Sequence, residues 1–151
     1  MNKKNVLFIS EKWSDGKPNS NLTNSYHNFF STFKYSLPEY NFNLIHYDEC
    51  FVNHQTHIDK ILPKIYNKYK PDIVFILLLL NSPLNPSMET IEFLKKNKCF
   101  VCFLWPDIQM LFGQKELMEY NKVSDLHVSF ASEGNIKNND VEIMWMWTPE
   151  D

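Results

Sequence analysis

Apolar residues in this chain fall into short unbroken runs, separated by stretches with helical spacing, which is the pattern of strands alternating with helices. Val6-Leu7-Phe8-Ile9 closes on polar Ser10 and predicts a buried strand. Ile73 to Leu80 holds eight residues with no polar member, and Cys99 to Trp105 is nearly all apolar. Strands covered by helices on both faces read this way. Phe42 to Tyr47 carries Asn43 and His46, and Leu126-His127-Val128-Ser129-Phe130 alternates, so both predict flanking strands. Val141 to Trp147 predicts a last one.

Between these runs the spacing changes. Tyr26, Phe29, Phe30, Phe33 and Leu37 line one helical face, ended by Pro38. A second helix is predicted over about Asn53 to Lys70, with Ile58, Ile61, Leu62, Ile65 and Tyr69 inward. Pro63 predicts a kink or a late start there, because it lacks the backbone donor that a helix interior uses. Asn85 as N-cap, Pro86 at the first position and Glu89 in the first turn predict a helix running to about Asn97. Asp107 to Asn121 is predicted helical, with a break near Gly113.

Alternating strands and helices mean βαβ units and a doubly wound, mostly parallel sheet of the Rossmann or flavodoxin-like kind. Strands 1, 3 and 4 are apolar throughout, whereas 2 and 5 carry polar side chains. The order 2-1-3-4-5 places the first group inside, while 3-2-1-4-5 would move Ile73–Leu80 outward. The first order is preferred. At 151 residues the chain matches one domain, residues 1–151, with no internal repeat.

Composition removes several functions. All fifteen basic residues are Lys, so no bidentate guanidinium clamp for phosphate or carboxylate can form. The formal net charge of −3 speaks against nucleic acid as a partner, since a phosphate backbone needs a clustered basic face. The longest apolar run is far short of the ~20 residues that span a bilayer, so no membrane span and a cytoplasmic location are expected. Cys50, Cys99 and Cys102 are expected to be reduced thiols, and Cys99 and Cys102, three apart on a strand, to point to opposite faces.

In such a sheet, ligands sit beyond the carboxyl ends of the strands at the switch in strand order, here between strands 1 and 3. Ser10, Glu11, Lys12 and Trp13 follow strand 1, Asn81, Ser82 and Asn85 follow strand 3, and Trp105, Pro106 and Asp107 follow strand 4. This set offers carboxylates, an indole, amides and hydroxyls, as sugar sites do. The same residues also suit helix caps and ordinary loop polarity, and spacing alone leaves both open. No glycine-rich fingerprint follows strand 1, where the first glycine is Gly16, which speaks against a dinucleotide site. A flavin site through Ser10 and Ser14 stays open. The acidic set of a response regulator is missing, and Trp105-Pro106-Asp107 cannot serve a tyrosine phosphatase in a chain without Arg. His46, Asp48, Cys50, His54 and His57 are close in sequence but match no structural zinc spacing, so no metal is expected.

Lys70-Pro71-Asp72-Ile73-Val74 is similar to the entry to strand 3 in the N-terminal domain of GT-B glycosyltransferases. It most resembles the bacterial group around the spore maturation protein CgeB. Asn85-Pro86-Ser87 through Thr90-Ile91 and Leu94-Lys95, then Val101 to Asp107, resembles that group's next helix and a strand ending in Trp and Asp. Ser124-Asp125-Leu126-His127-Val128 and Glu142 to Asp151 resemble its last strands and the run into the interdomain linker. The likeness covers about residues 4–151, although glycines frequent after strand 1 in that group are missing.

The resemblance implies the acceptor-binding half of a two-domain sugar transferase, inactive alone. It implies no cofactor in this domain and a nucleotide-sugar donor held by a C-terminal domain. Asp107 and then Glu11 are the implied candidates for the general base, with Trp13 stacking on a sugar or glycan acceptor. Asp107 equally suits the first turn of the helix after it. Ser10, Lys12, Asn81, Ser82, Asn85 and Trp105 complete the candidate acceptor site. Met144 to Trp147 is expected to be covered by that second domain or by a partner subunit. The alternative is a flavodoxin-like module that binds a small ligand or a protein without catalysis.

Overall fold

In the computed structural model, residues 3–13, 17–18, 21–23, 26–79, 82–105, 119–120, 122–129 and 141–142 are described, with backbone alone for 26–28, 129 and 141–142. Strand β1 (Asn5–Ser10) lies between β2 (Asn41–His46) and β3 (Ile73–Leu77). The sheet continues through β4 (Phe100–Trp105), β5 (Leu126–Ser129) and a two-residue β6 (Val141–Glu142). The order is β2-β1-β3-β4-β5-β6, and every pairing is parallel. The 2-1-3-4-5 arrangement expected from polar content is therefore the one formed. The predicted last strand is described only at Val141–Glu142, and Met144 to Trp147 lies outside the described residues.

The three apolar strands sit in the middle because each has two faces to hide. Leu7, Ile9, Val74, Ile76, Val101 and Phe103 face one way, packed with Ile58 and Leu62 of α3 (Ile58–Tyr69) and Ile91 and Leu94 of α4 (Met88–Lys96). Phe8, Leu77, Cys102 and Leu104 face the other way against Phe29 and Phe30. Those two belong to a π-helical turn (Tyr26–Ser31) that runs into the short helix α1 (Thr32–Ser36). Strand periodicity of two produces this division. It also separates Cys99, in the first cluster, from Cys102 in the second. Burial pushes the Cys102 thiol up to about 12. Burial together with the nearby Asp72 carboxylate pushes Cys99 up to about 11.

Two helix boundaries differ from expectation. The helix predicted over about Asn53 to Lys70 starts later, as α3, and a separate helix α2 (Tyr47–His54) that was not predicted precedes it. Gln55 takes a left-handed conformation (φ 48°, ψ 36°) and closes α2, and His57 caps α3 by accepting from the Asp59 N–H. Pro63 then lies inside α3. Asn85 does not cap α4. Ser87 does, its hydroxyl accepting from the Thr90 N–H at 3.3 Å, while Asn85 turns back to the backbone of Leu79. The predicted helix over 107–121 lies outside the described residues except at Glu119–Tyr120, which are helical. Among the described residues, no helix is long and apolar enough to cross a membrane.

The opposite, amino-terminal edge of the sheet is trimmed by two carboxylates. Asp72 Oδ2 accepts from the Asn5 N–H at 2.8 Å. Asp125 Oδ2 accepts from the Val101 N–H at 2.9 Å, with its other oxygen 2.9 Å from the Lys95 ammonium. Both residues belong to the stretches that carry the glycosyltransferase resemblance, and both serve strand entry here.

Candidate functional site

The register of β1 on β2 pairs Ser10 with His46, so both strands present their last residues side by side at the carboxyl edge. Ser10 is fully buried, and its hydroxyl donates to the Glu11 carbonyl at 3.1 Å. His46 Nδ1 lies 3.1 Å from that same carbonyl and 3.5 Å from Ser10 Oγ. A carbonyl only accepts, so Nδ1 carries the proton and the lone pair falls on Nε2. Burial is the main influence on this imidazole and lowers its pKa from the ordinary 6.5. The Asp48 carboxylate, the Glu11 carbonyl and Glu49 oppose that shift, and Lys12 adds to it. His46 is thus mostly neutral at pH 7.

Asp48, in the first turn of α2, is the residue that shapes this corner. It is 4% exposed. Its Oδ1 accepts from the Lys12 N–H at 2.9 Å and the Glu49 N–H at 2.8 Å. Its Oδ2 accepts from the N–H groups of Lys12 at 3.0 Å and Trp13 at 3.1 Å. One carboxylate therefore holds the start of the first loop against the start of α2. The Lys12 ammonium pairs with the Glu49 carboxylate and lies 5.3 Å from the centre of the Trp13 ring. Next to Asp48, the Tyr47 hydroxyl is buried and has no hydrogen-bond partner among the described residues. Burial first, then the Glu11 and Asp48 carboxylates, push this phenol well above its usual value, against a smaller pull from the Glu11 backbone. Tyr47 remains an O–H group.

No family model matches this chain. No curated protein matches it either. What the site can do therefore rests on its own residues.

Of the residues read from the sequence, Ser10, Glu11, Lys12 and Trp13 come together, and they meet the end of β2. Trp13 is 5% exposed and bridges to Leu22, so its ring is a loop anchor and not an open platform. Trp105 is 1% exposed and packs edge-on against Tyr120, with ring centres 5.8 Å apart. Its indole N–H has no partner among the described residues. Asn85 is buried, with its side chain accepting from Leu79 N–H at 3.0 Å and donating to Leu79 O at 2.6 Å. Ser82 Oγ accepts from the Leu84 N–H at 3.2 Å. Asn85 and Ser82 thus shape the loop after β3. Asn81 and Asp107 lie outside the described residues.

His46, Tyr47 and Asp48 were not among the site residues read from the sequence. Their signal was available, because a His, a Tyr and an Asp directly after a flanking strand stand at the carboxyl edge of the sheet. Among the described residues, no group of three or more His, Cys, Asp or Glu side chains is placed to hold a metal ion.

The lowered His46 pKa has a thermodynamic consequence. The unfolded chain takes up a proton at this residue as pH falls below about 6.5, while the folded chain resists until lower pH. The unfolded state then binds more protons, so this contribution to stability is complete above 6.5 and declines as pH falls toward the folded value. Urea unfolding at pH 7 and pH 5 is expected to show a smaller loss of stability in His46→Gln than in the parent chain. An equal loss in both would remove the assignment.

Proposed function

We propose that this chain is the acceptor-side domain of a two-domain sugar transferase of the GT-B kind, and that its acceptor binds at the carboxyl ends of β1 and β2. The observation that carries the reading is the grouping of Glu11, a neutral His46 and the O–H of Tyr47 at one corner of a parallel sheet. Ligands of doubly wound sheets sit beyond the carboxyl ends of the strands, at the β1–β3 switch, and this corner lies on the other side of β1. The resemblance of Lys70 to Val74, Asn85 to Asp107 and Ser124 to Val128 to the CgeB-like group supplies the reaction class.

In that reading the acceptor hydroxyl loses its proton to Glu11 or to Nε2 of His46 as its oxygen bonds to the anomeric carbon, and the nucleotide leaves with the bonding pair. A second domain would hold the nucleotide sugar, so the 151-residue chain alone is expected to bind without turnover. The test is a nitrogen-15 amide titration of this chain with neutral mono- and disaccharides, with flavin mononucleotide as the competing ligand. Sugars are expected to move the amides of residues 10–13 and 46–49 first. A panel that leaves those amides in place, a response to the flavin alone, or sugar transfer by the chain by itself would each sink the reading.

A further inference from the structure

We propose that the Asp48 carboxylate is the resident occupant of an anion cradle, so that this corner of the sheet takes an uncharged polyhydroxy ligand and turns away a phosphorylated one. This rests on the sugar-binding reading above and narrows it to one charge class.

The backbone after the first strand of a doubly wound sheet is where phosphate is commonly held, by consecutive N–H groups and the end of a helix. Consecutive amides that point into one hollow make such a cradle. Here the amides of Lys12 and Trp13 converge together with that of Glu49 from the first turn of α2, and all three donate to Asp48 at 2.8–3.1 Å. The cradle is built, and a side chain of the protein fills it.

The described residues beside the cradle offer little replacement. The Lys12 ammonium, the cation beside the cradle, is engaged by Glu49. The chain has no Arg. Glu11, Asp48 and Glu49 surround the spot with negative charge, and a phosphate dianion would meet repulsion with its usual donors already taken. Beside Glu11 and Asp48, the buried Tyr47 hydroxyl makes no hydrogen bond among the described residues. A neutral hydroxyl that can both donate and accept suits another hydroxyl.

The experiment follows the Lys12, Trp13 and Tyr47 amides of the nitrogen-15-labelled chain against inorganic phosphate, glucose 6-phosphate and glucose. In the parent chain, phosphate is expected to leave the Lys12 and Trp13 amides unmoved, and glucose to bind at least tenfold tighter than its 6-phosphate. In Asp48→Asn, phosphate is expected to shift both amides with at least tenfold higher affinity. Should that variant not fold, Glu49→Gln, which releases the Lys12 ammonium, is expected to gain about threefold. Phosphate moving both amides in the parent chain, or failing to move them in every folded variant, overturns the proposal. If phosphate responds only in the variants while neither sugar moves these amides, the sugar reading falls and the cradle stands.

Discussion

Asp48→Ala is expected to destabilise the fold by about 3 kcal/mol, the larger part of which comes from donors left without an acceptor. Hydrogen bonds to a charged group contribute roughly 1.5–3 kcal/mol, and a buried N–H stripped of its partner costs about 1–3 kcal/mol. Asp48 receives three backbone N–H groups, and that of Trp13 lies in a residue only 5% exposed. These contributions overlap, since the loop can relax toward water once released. For a chain of this size, about 3 kcal/mol lowers the melting temperature by roughly 6–12 °C. Asp48→Asn keeps one acceptor oxygen and is expected to lose about half as much. Urea and thermal unfolding measure both. A loss below about 1 kcal/mol in the alanine variant would show that the carboxylate does not hold the loop.

Phe8→Ala is expected to cost about 4 kcal/mol, within the roughly 3–5 kcal/mol typical of a buried phenylalanine. Phe8 is fully buried at the centre of β1, with ring centres 5.9 Å from Phe30, 6.2 Å from Phe33 and 6.0 Å from Phe75. Two of those contacts are edge-on, and aromatic pairs of this kind add about 0.5–1.5 kcal/mol beyond area burial. The control is Tyr35→Ala. Tyr35 is 83% exposed, and its loss is expected to stay within about 0.5 kcal/mol. If the two variants unfold at the same denaturant concentration, the Phe8 ring is not part of the core.

The fold was legible because the decisive signal is local. A run such as Ile73 to Leu77 has no polar face to offer water, so it must lie inside, and that requirement alone sorts β1, β3 and β4 from β2 and β5. Boundaries were less legible where a side chain had two suitable partners. Asn85 before Pro86 reads as a cap, yet its amide matches both the N–H and the C=O of Leu79, and two backbone hydrogen bonds outweigh one. Gln55 gives no hint that it will take a left-handed turn, which glycine or asparagine would have announced.

The candidate site was legible only in part, because polarity at a strand end does not say where a side chain turns. Ser10 and Glu11 fall at the expected edge. Trp13 was read as a sugar platform and Trp105 as part of the acceptor site, but a large ring beside an apolar strand also gains by entering the core, and both rings are buried. Asp48 offers the reverse case. In sequence it is a charge in the first turn of a helix. Its role depends on the amides of Lys12 and Trp13, thirty-six and thirty-five positions away. Asp72 and Asp125 show why a motif is not yet a site, since each completes a strand at the edge opposite the carboxyl ends.

The placement of β1 sets an order on synthesis. The strand made first is flanked on one side by residues 41–46 and on the other by residues 73–77, and its contact from Asn5 to Asp72 spans 67 positions. Until Leu77 has left the ribosome, a nascent chain carries Val6 to Ile9 with one edge open. The loop closures that finish it are long, and their entropy is lost before the contacts form. β1 thus gains its second neighbour only after the helices α1, α2 and α3 and the flanking strand β2 have been made.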